Sequence, residues 1–216
     1  MGVDCYARAM SDAPIDIGPV ELAEEQPETA PRPRSKARMI VLSSLLVAAV
    51  GGAGVLGYTA WQISSQKDAQ LATPDKIGSL TLDTSEDAKS TADYLQTALA
   101  AEVDLDKTVA AVYTEPGDKN VLIFGGTTLI WTPEDDLDTA FNLISDNQGA
   151  VTDLHDVPAG DLGGTMKCGT TKSDSGELPV CGWADHGSLA LAMFPNRTLA
   201  DATPLFQQIR TAVESR

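Results

Sequence analysis

The chain is short of the residues that acid–base and metal chemistry most often use. Its 216 residues include two histidines, His155 and His186, and three cysteines. Two histidines 31 positions apart make a poor shared metal site, and two spaced cysteines in the last third are too few for a zinc cage. No CxxC pair occurs, so the usual redox motif is missing. Gly125-Gly126 follows a predicted strand but opens neither a GxGxxG nor a Walker pattern. Asp185, His186 and Ser188 are the residue types of a catalytic triad. Side chains so nearly contiguous in a tight turn cannot line up as acid, base and nucleophile, and Asp-His-Gly reads instead as turn chemistry. The acids Asp83, Glu86 and Asp87, and the group Glu134, Asp135, Asp136 and Asp138, lack EF-hand spacing; acids at helix starts account for them. The sequence therefore predicts no catalytic residue, no cofactor and no metal.

Basic residues are also scarce. Fifteen Lys and Arg stand against 31 Asp and Glu, a net charge of −16. Seven acids and five bases precede Met39, which leaves 24 acids and ten bases after it, near −14. A surface this acidic is repelled by nucleic acid and by anionic lipid headgroups, and it favours solubility.

The 25 residues from Met39 to Ile63 carry no charge at all. As a helix this run reaches roughly 37 Å, enough to cross a hydrocarbon core of about 30 Å with tilt. PRPRSKAR stands just before it, with Arg32, Arg34, Lys36 and Arg38 inside seven residues. The positive-inside rule then places the N-terminus in the cytoplasm and everything after Ser64 outside, at a plasma membrane. Tyr58 and Trp61 fall at the expected outer interface. A cleaved signal peptide fits poorly: the preceding tail and the apolar run are both too long, and cleavage after Ala60 would put Tyr58 where a small residue is needed. The stripes Ser44–Ala48–Gly52 and Ala49–Ala53–Gly57 permit close helix–helix contact and weak self-association, without a strict GxxxG.

Residues 1–38 contain five prolines, many acids and few large apolar side chains, a composition that predicts a disordered cytoplasmic tail. Ile15–Leu22 is its most apolar stretch and the natural place for a docking motif. Cys5 is expected to be a free thiol there. Residues 64–75 read as a stalk, and 76–216 as an extracytoplasmic α+β domain. In that domain three helices each open with Thr-x-x-Asp: Thr84/Asp87, Thr132/Asp135 with Pro133 at the first turn, and Thr198/Asp201. Strands are expected at 77–82, 109–113, 121–131, 150–157, 164–170, 179–183 and 188–194. A hairpin followed by a helix occurs twice. An antiparallel sheet with about three helices on one face, in two layers, is the predicted product. Asn196-Arg197-Thr198, a formal glycosylation triplet, reads as a turn and a helix cap.

Cys168 and Cys181 sit on consecutive predicted strands in an oxidising compartment, and neighbouring antiparallel strands can meet disulfide geometry. A structural bridge is expected.

The segment MKCGTTKSDSGELPVCGWADHGSLALAMFP, with the tail and helix before it, resembles actinobacterial single-pass envelope membrane proteins that carry a small extracytoplasmic α+β domain. That group has no assigned activity, so the resemblance supports compartment and disulfide and transfers no catalytic residue. The expectation is a membrane-anchored, non-enzymatic envelope protein whose outer domain binds or scaffolds a protein partner. A transmembrane signalling subunit with a docking tail, and a hydrolase with an unfamiliar site, are the alternatives.

Overall fold

A computed structural model describes residues 36–145, 150–173 and 176–216. Residues 1–35 of the tail read as disordered, with Cys5, Arg32 and Arg34, lie outside these residues, and its last three, 36–38, are helical. The chain divides into two compact units, one ending at Ala48 and one running from Ala49 to Arg216.

Helix α1 spans Lys36–Gln66, so Lys36 and Arg38 fall in its first turn. From Met39 to Gln66 it is long and apolar enough to cross a membrane, and no part of its most apolar stretch is buried by the rest of the chain. In the first unit Ser43 Oγ and Ser44 Oγ donate to the carbonyls of Ile40 and Val41, both at 2.9 Å. In the second, Thr59 Oγ1 donates to Val55 O. Each hydroxyl therefore meets its need within the helix, as an apolar surrounding demands. Tyr58 and Trp61 are both exposed, with ring centroids 6.2 Å apart.

The second unit continues with β1 (Gln70–Leu71), β2 (Lys76–Ile77), β3 (Leu80–Leu82), α2 (Glu86–Glu102), β4 (Lys107–Thr114), β5 (Val121–Thr127) and α3 (Pro133–Ile144). Then come β6 (Thr152–Asp156), β7 (Thr165–Ser173), β8 (Gly176–Ala184), β9 (Ser188–Met193), α4 (Leu199–Val213) and β10 (Glu214–Ser215). Eight strands form one antiparallel sheet in the order β2-β3-β4-β5-β9-β8-β7-β6, and β1 pairs with β10 in a separate ribbon. The fold is α+β, with every strand pair antiparallel, as expected.

Two details of the helices differ from the sequence reading. The cap of α2 is Ser85, not Thr84: Ser85 Oγ accepts from Ala88 N. The reason lies one turn earlier, where Asp83 Oδ1 accepts the Ser85 N–H and fixes an extended entry. Hydrogen bonding from Ser85 also holds the Asp83 carboxyl below its ordinary pKa. At α4 the expected cap forms, with Thr198 Oγ1 accepting from Asp201 N. Thr132 precedes α3 but makes no side-chain bond to the backbone.

The larger correction concerns layers. The helices do not share one face of the sheet. Leu99 of α2, Val103 just after it, and Leu137, Ala140 and Phe141 of α3 join Phe124, Val180, Leu189 and Leu191 in one core. Ala202, Phe206, Ile209 and Val213 of α4 join Val121, Ile123, Cys181, Trp183, Ala190 and Ala192 in another. Successive strand residues point to opposite faces, so both faces of β5, β8 and β9 are apolar and both must be covered. That requirement carries α4 to the face opposite α3 and makes three layers. Within the second core Phe206 packs on Trp183 at 5.2 Å and edge-on to Phe194 at 6.0 Å. On the first face α3 approaches closely because Gly182 has no side chain; a Cβ there would lie 2.6 Å from Leu191 Cδ2 and 2.8 Å from Leu137 Cδ1.

The expected disulfide forms between Cys168 and Cys181, which are direct cross-strand partners on β7 and β8 with Cα atoms 4.1 Å apart. Both are fully buried against α4. Closing a loop of this length stabilises by about 3 kcal/mol in the chain-entropy model, and less where a hairpin already restricts the unfolded ensemble. Replacing both cysteines by alanine is expected to lower unfolding stability by about 2–3 kcal/mol, read from denaturant titration of the detergent-solubilised chain. A change under about 0.5 kcal/mol would show that strand pairing alone holds this hairpin.

Candidate functional site

The β8–β9 turn, expected to be only a turn, is the centre of the most polar buried site in the described residues. Asp185 N donates to Ser188 O, closing a tight hairpin. Asp185 Oδ1 accepts from Gly187 N at 2.8 Å and Ser188 N at 2.9 Å. To that extent the turn reading of Asp-His-Gly describes the local geometry. Asp185 Oδ2 does more: it accepts from Ser188 Oγ at 3.2 Å, Arg210 Nη2 at 2.8 Å and Arg216 Nη2 at 2.7 Å. Ser188 Oγ in turn accepts from the Trp183 indole N–H at 3.0 Å.

Arg210 is 1% exposed and links three parts of the domain. Its Nε donates to Glu214 Oε2 at 2.8 Å, and its Nη1 donates to Ala159 O and Gly163 O. Its guanidinium carbon lies 5.5 Å from the centroid of the Trp183 ring, a cation–π arrangement. Arg216 completes the square through Glu214 Oε1. Two buried carboxylates are thus neutralised by the buried Arg210 and by Arg216, which closes the cluster on its solvent side. Burial, and then the charge of Asp185, push the Glu214 carboxyl above its ordinary pKa, against the opposing pull of Arg210. Removing one member of such a cluster strands an uncompensated charge and costs about 3–5 kcal/mol.

This cluster sits where α1 enters the domain. Gln66, the last residue of α1, is 4% exposed, and its Oε1 accepts from His186 N at 3.1 Å. Gly187 packs directly on the Gln66 carbonyl; a Cβ at Gly187 would lie 1.9 Å from that oxygen. The ring of His186 is 9% exposed, with Nδ1 donating to Ile130 O at 2.8 Å. Residues 64–75, read from sequence as a stalk, therefore contribute Gln66, the buried Ala69 and β1 to the domain. β1 pairs with β10, which holds the last residues of the chain next to the exit of α1.

Sequence reading singled out Asp185, His186 and Ser188 but missed Gln66, Arg210, Glu214 and Arg216. One signal was available. Arg210 lies four residues after Phe206 and beside Ile209, on the apolar stripe of α4, where a charge must find a buried partner.

A second polar feature is a cleft of about 330 Å³ between α3 and the β6–β7 edge. Its walls include Asp138, Phe141, Asn142, Leu154, His155 and Lys167. Lys167 Nζ donates to Asp138 Oδ1 at 2.7 Å and to Glu134 Oε1 at 3.4 Å. Burial alone would lower the Lys167 pKa, but the hydrogen bonds and charges of these carboxylates outweigh it and raise it. Glu134 and Asp138 of α3 therefore take part in an ion pair between the helix and the sheet face beneath it. His155 lies on β6, its Nδ1 bonded to Asp153 O, whereas His186 lies in the β8–β9 turn. Among the described residues no group of three or more His, Cys, Asp or Glu is placed to hold a metal ion. Asn196, in a left-handed turn (φ 58°), donates from Nδ2 to Asp118 O at 2.9 Å and ties the α4 entry to the β4–β5 hairpin.

Compared with protein-family models, curated proteins and solved structures, the chain finds no match.

The junction predicts a specific defect. Gly187→Ala forces a Cβ into the Gln66 carbonyl and unseats the end of α1. In detergent, tryptic cleavage after Lys67 is expected to speed up several-fold while the disulfide remains formed. Unchanged cleavage would mean that the turn does not hold the helix end.

Proposed function

We propose that the chain is a membrane-anchored envelope protein of the single-pass actinobacterial kind, with α1 crossing the plasma membrane, the N-terminus in the cytoplasm and the acidic domain outside. The outer domain works as a non-enzymatic module that binds or scaffolds a protein partner. The observation that carries this reading is the junction itself. Gln66 is bonded to the β8–β9 turn, and the chain's last strand closes over the exit of α1. Such a domain is held at a fixed position against its anchor instead of swinging on a tether, which suits a scaffold. The polar groups that suggest catalysis are committed elsewhere: Asp185 accepts five hydrogen bonds, and Ser188 Oγ bonds both Asp185 and Trp183. The basic flank Arg32, Arg34, Lys36 and Arg38 supports the orientation, and the net acidity of the domain argues against nucleic acid as a partner.

The cleft beside α3 is the natural place for a partner segment to dock. It offers apolar wall at Phe141 and Leu154 beside the Lys167–Asp138 pair. A photo-crosslinking residue at Leu154 is expected to capture a discrete envelope protein in intact cells, and the same residue at the exposed Tyr94 on α2 is not. Equal capture at both positions, or none at Leu154, would sink the reading of this cleft.

The same junction favours a second reading, transmembrane signalling, because a firmly seated helix end transmits domain movement into α1. On that reading, deleting Met1–Glu28 abolishes function while membrane insertion persists; full function of the truncated chain would reject it.

A further inference from the structure

Four large apolar side chains of the domain are exposed among the described residues: Tyr94, Leu129, Trp131 and Leu154. Two of these are neighbours in the segment between β5 and α3. Leu129 is 45% exposed and Trp131 69%, while Ile130 between them is 4% exposed and buried in the core with α3. The buried Ile130 fixes the segment, so its two flanking side chains are presented on purpose-built backbone and not on a loose tip.

The position of this segment follows from a chain of hydrogen bonds that starts at the membrane helix. Gln66 is bonded to His186 N and packed on Gly187. On the other side of the same turn, Ile130 N donates to His186 O and Thr128 N donates to Gly187 O. His186 Nδ1 adds a third tie, to Ile130 O. The Leu129–Trp131 backbone is therefore separated from Gln66 only by the hydrogen-bonded β8–β9 turn. Gln66 itself is three residues past Ile63, about 4.5 Å further along the helix. That distance lies inside the headgroup layer, which is roughly 5–8 Å deep on each side of the hydrocarbon core. A tryptophan side chain starting so near that layer, wide open and flanked by leucine, has the amphipathic character of an interfacial anchor.

We infer that Leu129 and Trp131 form a second membrane contact: they insert into the outer headgroup and upper acyl region beside the exit of α1. The occupant of this apolar patch is lipid. The contact rests on α1 spanning the membrane, and it adds a point of attachment that fixes the rotation of the domain about the helix axis. One helix alone sets the depth of the domain; a second contact off the axis sets which side faces the surface. It also explains why the neighbouring turn is braced by a buried ion cluster, since the β8–β9 turn is the shared support of both contacts.

The chain has three tryptophans, Trp61 on α1, Trp131, and the fully buried Trp183, so emission separates the contacts. The test uses the full chain in phosphatidylcholine nanodiscs, either plain or brominated near the top of the acyl chains. In the W61F variant the lipid-facing reporter is Trp131, and brominated discs are expected to quench its emission. In the W61F/W131F variant only Trp183 remains, and emission is expected to be the same in both discs. If W61F is unquenched while W131F, which keeps Trp61, is quenched, the helix is inserted and the loop is not; the inference then fails and the anchor reading stands. If neither single variant is quenched, the anchor reading fails and takes the inference with it.

Discussion

The buried Asp185 carboxylate is the interaction on which the rest of the domain depends. It closes the β8–β9 hairpin with one oxygen and gathers Arg210 of α4 and the terminal Arg216 with the other. A carboxylate with no exposure is tolerable only if its lone pairs are filled and its charge matched. Meeting that condition requires α4 to lie on the Trp183 face of the sheet and the chain end to return to the turn. Arg210 then reaches the carbonyls of Ala159 and Gly163, so the segment between β6 and β7 is secured by the same group. Desolvation thus converts one acidic residue into a constraint on four elements.

That constraint has a mechanical consequence. The turn it braces is also the seat of Gln66 and the hydrogen-bonded neighbour of Thr128 and Ile130. The end of the apolar helix, the Leu129–Trp131 segment and the C-terminal ribbon therefore share a single rigid support. A domain built this way moves with the end of α1 as a unit, which is the physical content of the proposed scaffold or transmitter role. The cleft beside α3 lies on the other core and is supported separately, through Gly182 and the Lys167–Asp138 pair.

Much of the fold was legible in local pattern. Apolar spacing located the three helices after α1, and β-branched runs located most of the strands, but the strand expected at 77–82 is a tight hairpin of β2 and β3 turning at Gly78 (φ 59°), and the one expected at 121–131 ends at Thr127. Cys168 and Cys181 were placed on neighbouring strands because the loop between them is short and polar. The cap of α2 was misread by one residue, since Thr84 and Ser85 are equivalent in type and only the Asp83 bond separates them. The two-layer expectation failed for a reason visible in hindsight: SLALAM and PVCGWA read as nearly continuous apolar runs, and a strand apolar on both faces needs a cover on each. The site was less legible. Asp185, His186 and Ser188 read locally as a turn, which they form, but their partners are distant: Arg210 and Arg216 lie 25 and 31 residues from Asp185, and Ile130 and Gln66 lie 56 and 120 from His186.

By itself the sequence determined the properties that depend on composition and short spacing. These are one charge-free run long enough to span a membrane, a basic flank before it, an acidic remainder, and helices and strands in order. Local chemistry suffices for these because each is decided within about 25 residues of chain. Only the tertiary structure decided which face α4 covers, that residues 66–71 pack into the domain, and that a tight turn seats both the end of the apolar helix and a buried ion cluster. Those outcomes come from partners distant in sequence, brought together because the buried Asp185 and Glu214 charges need matching cations and both apolar faces of β5, β8 and β9 need cover.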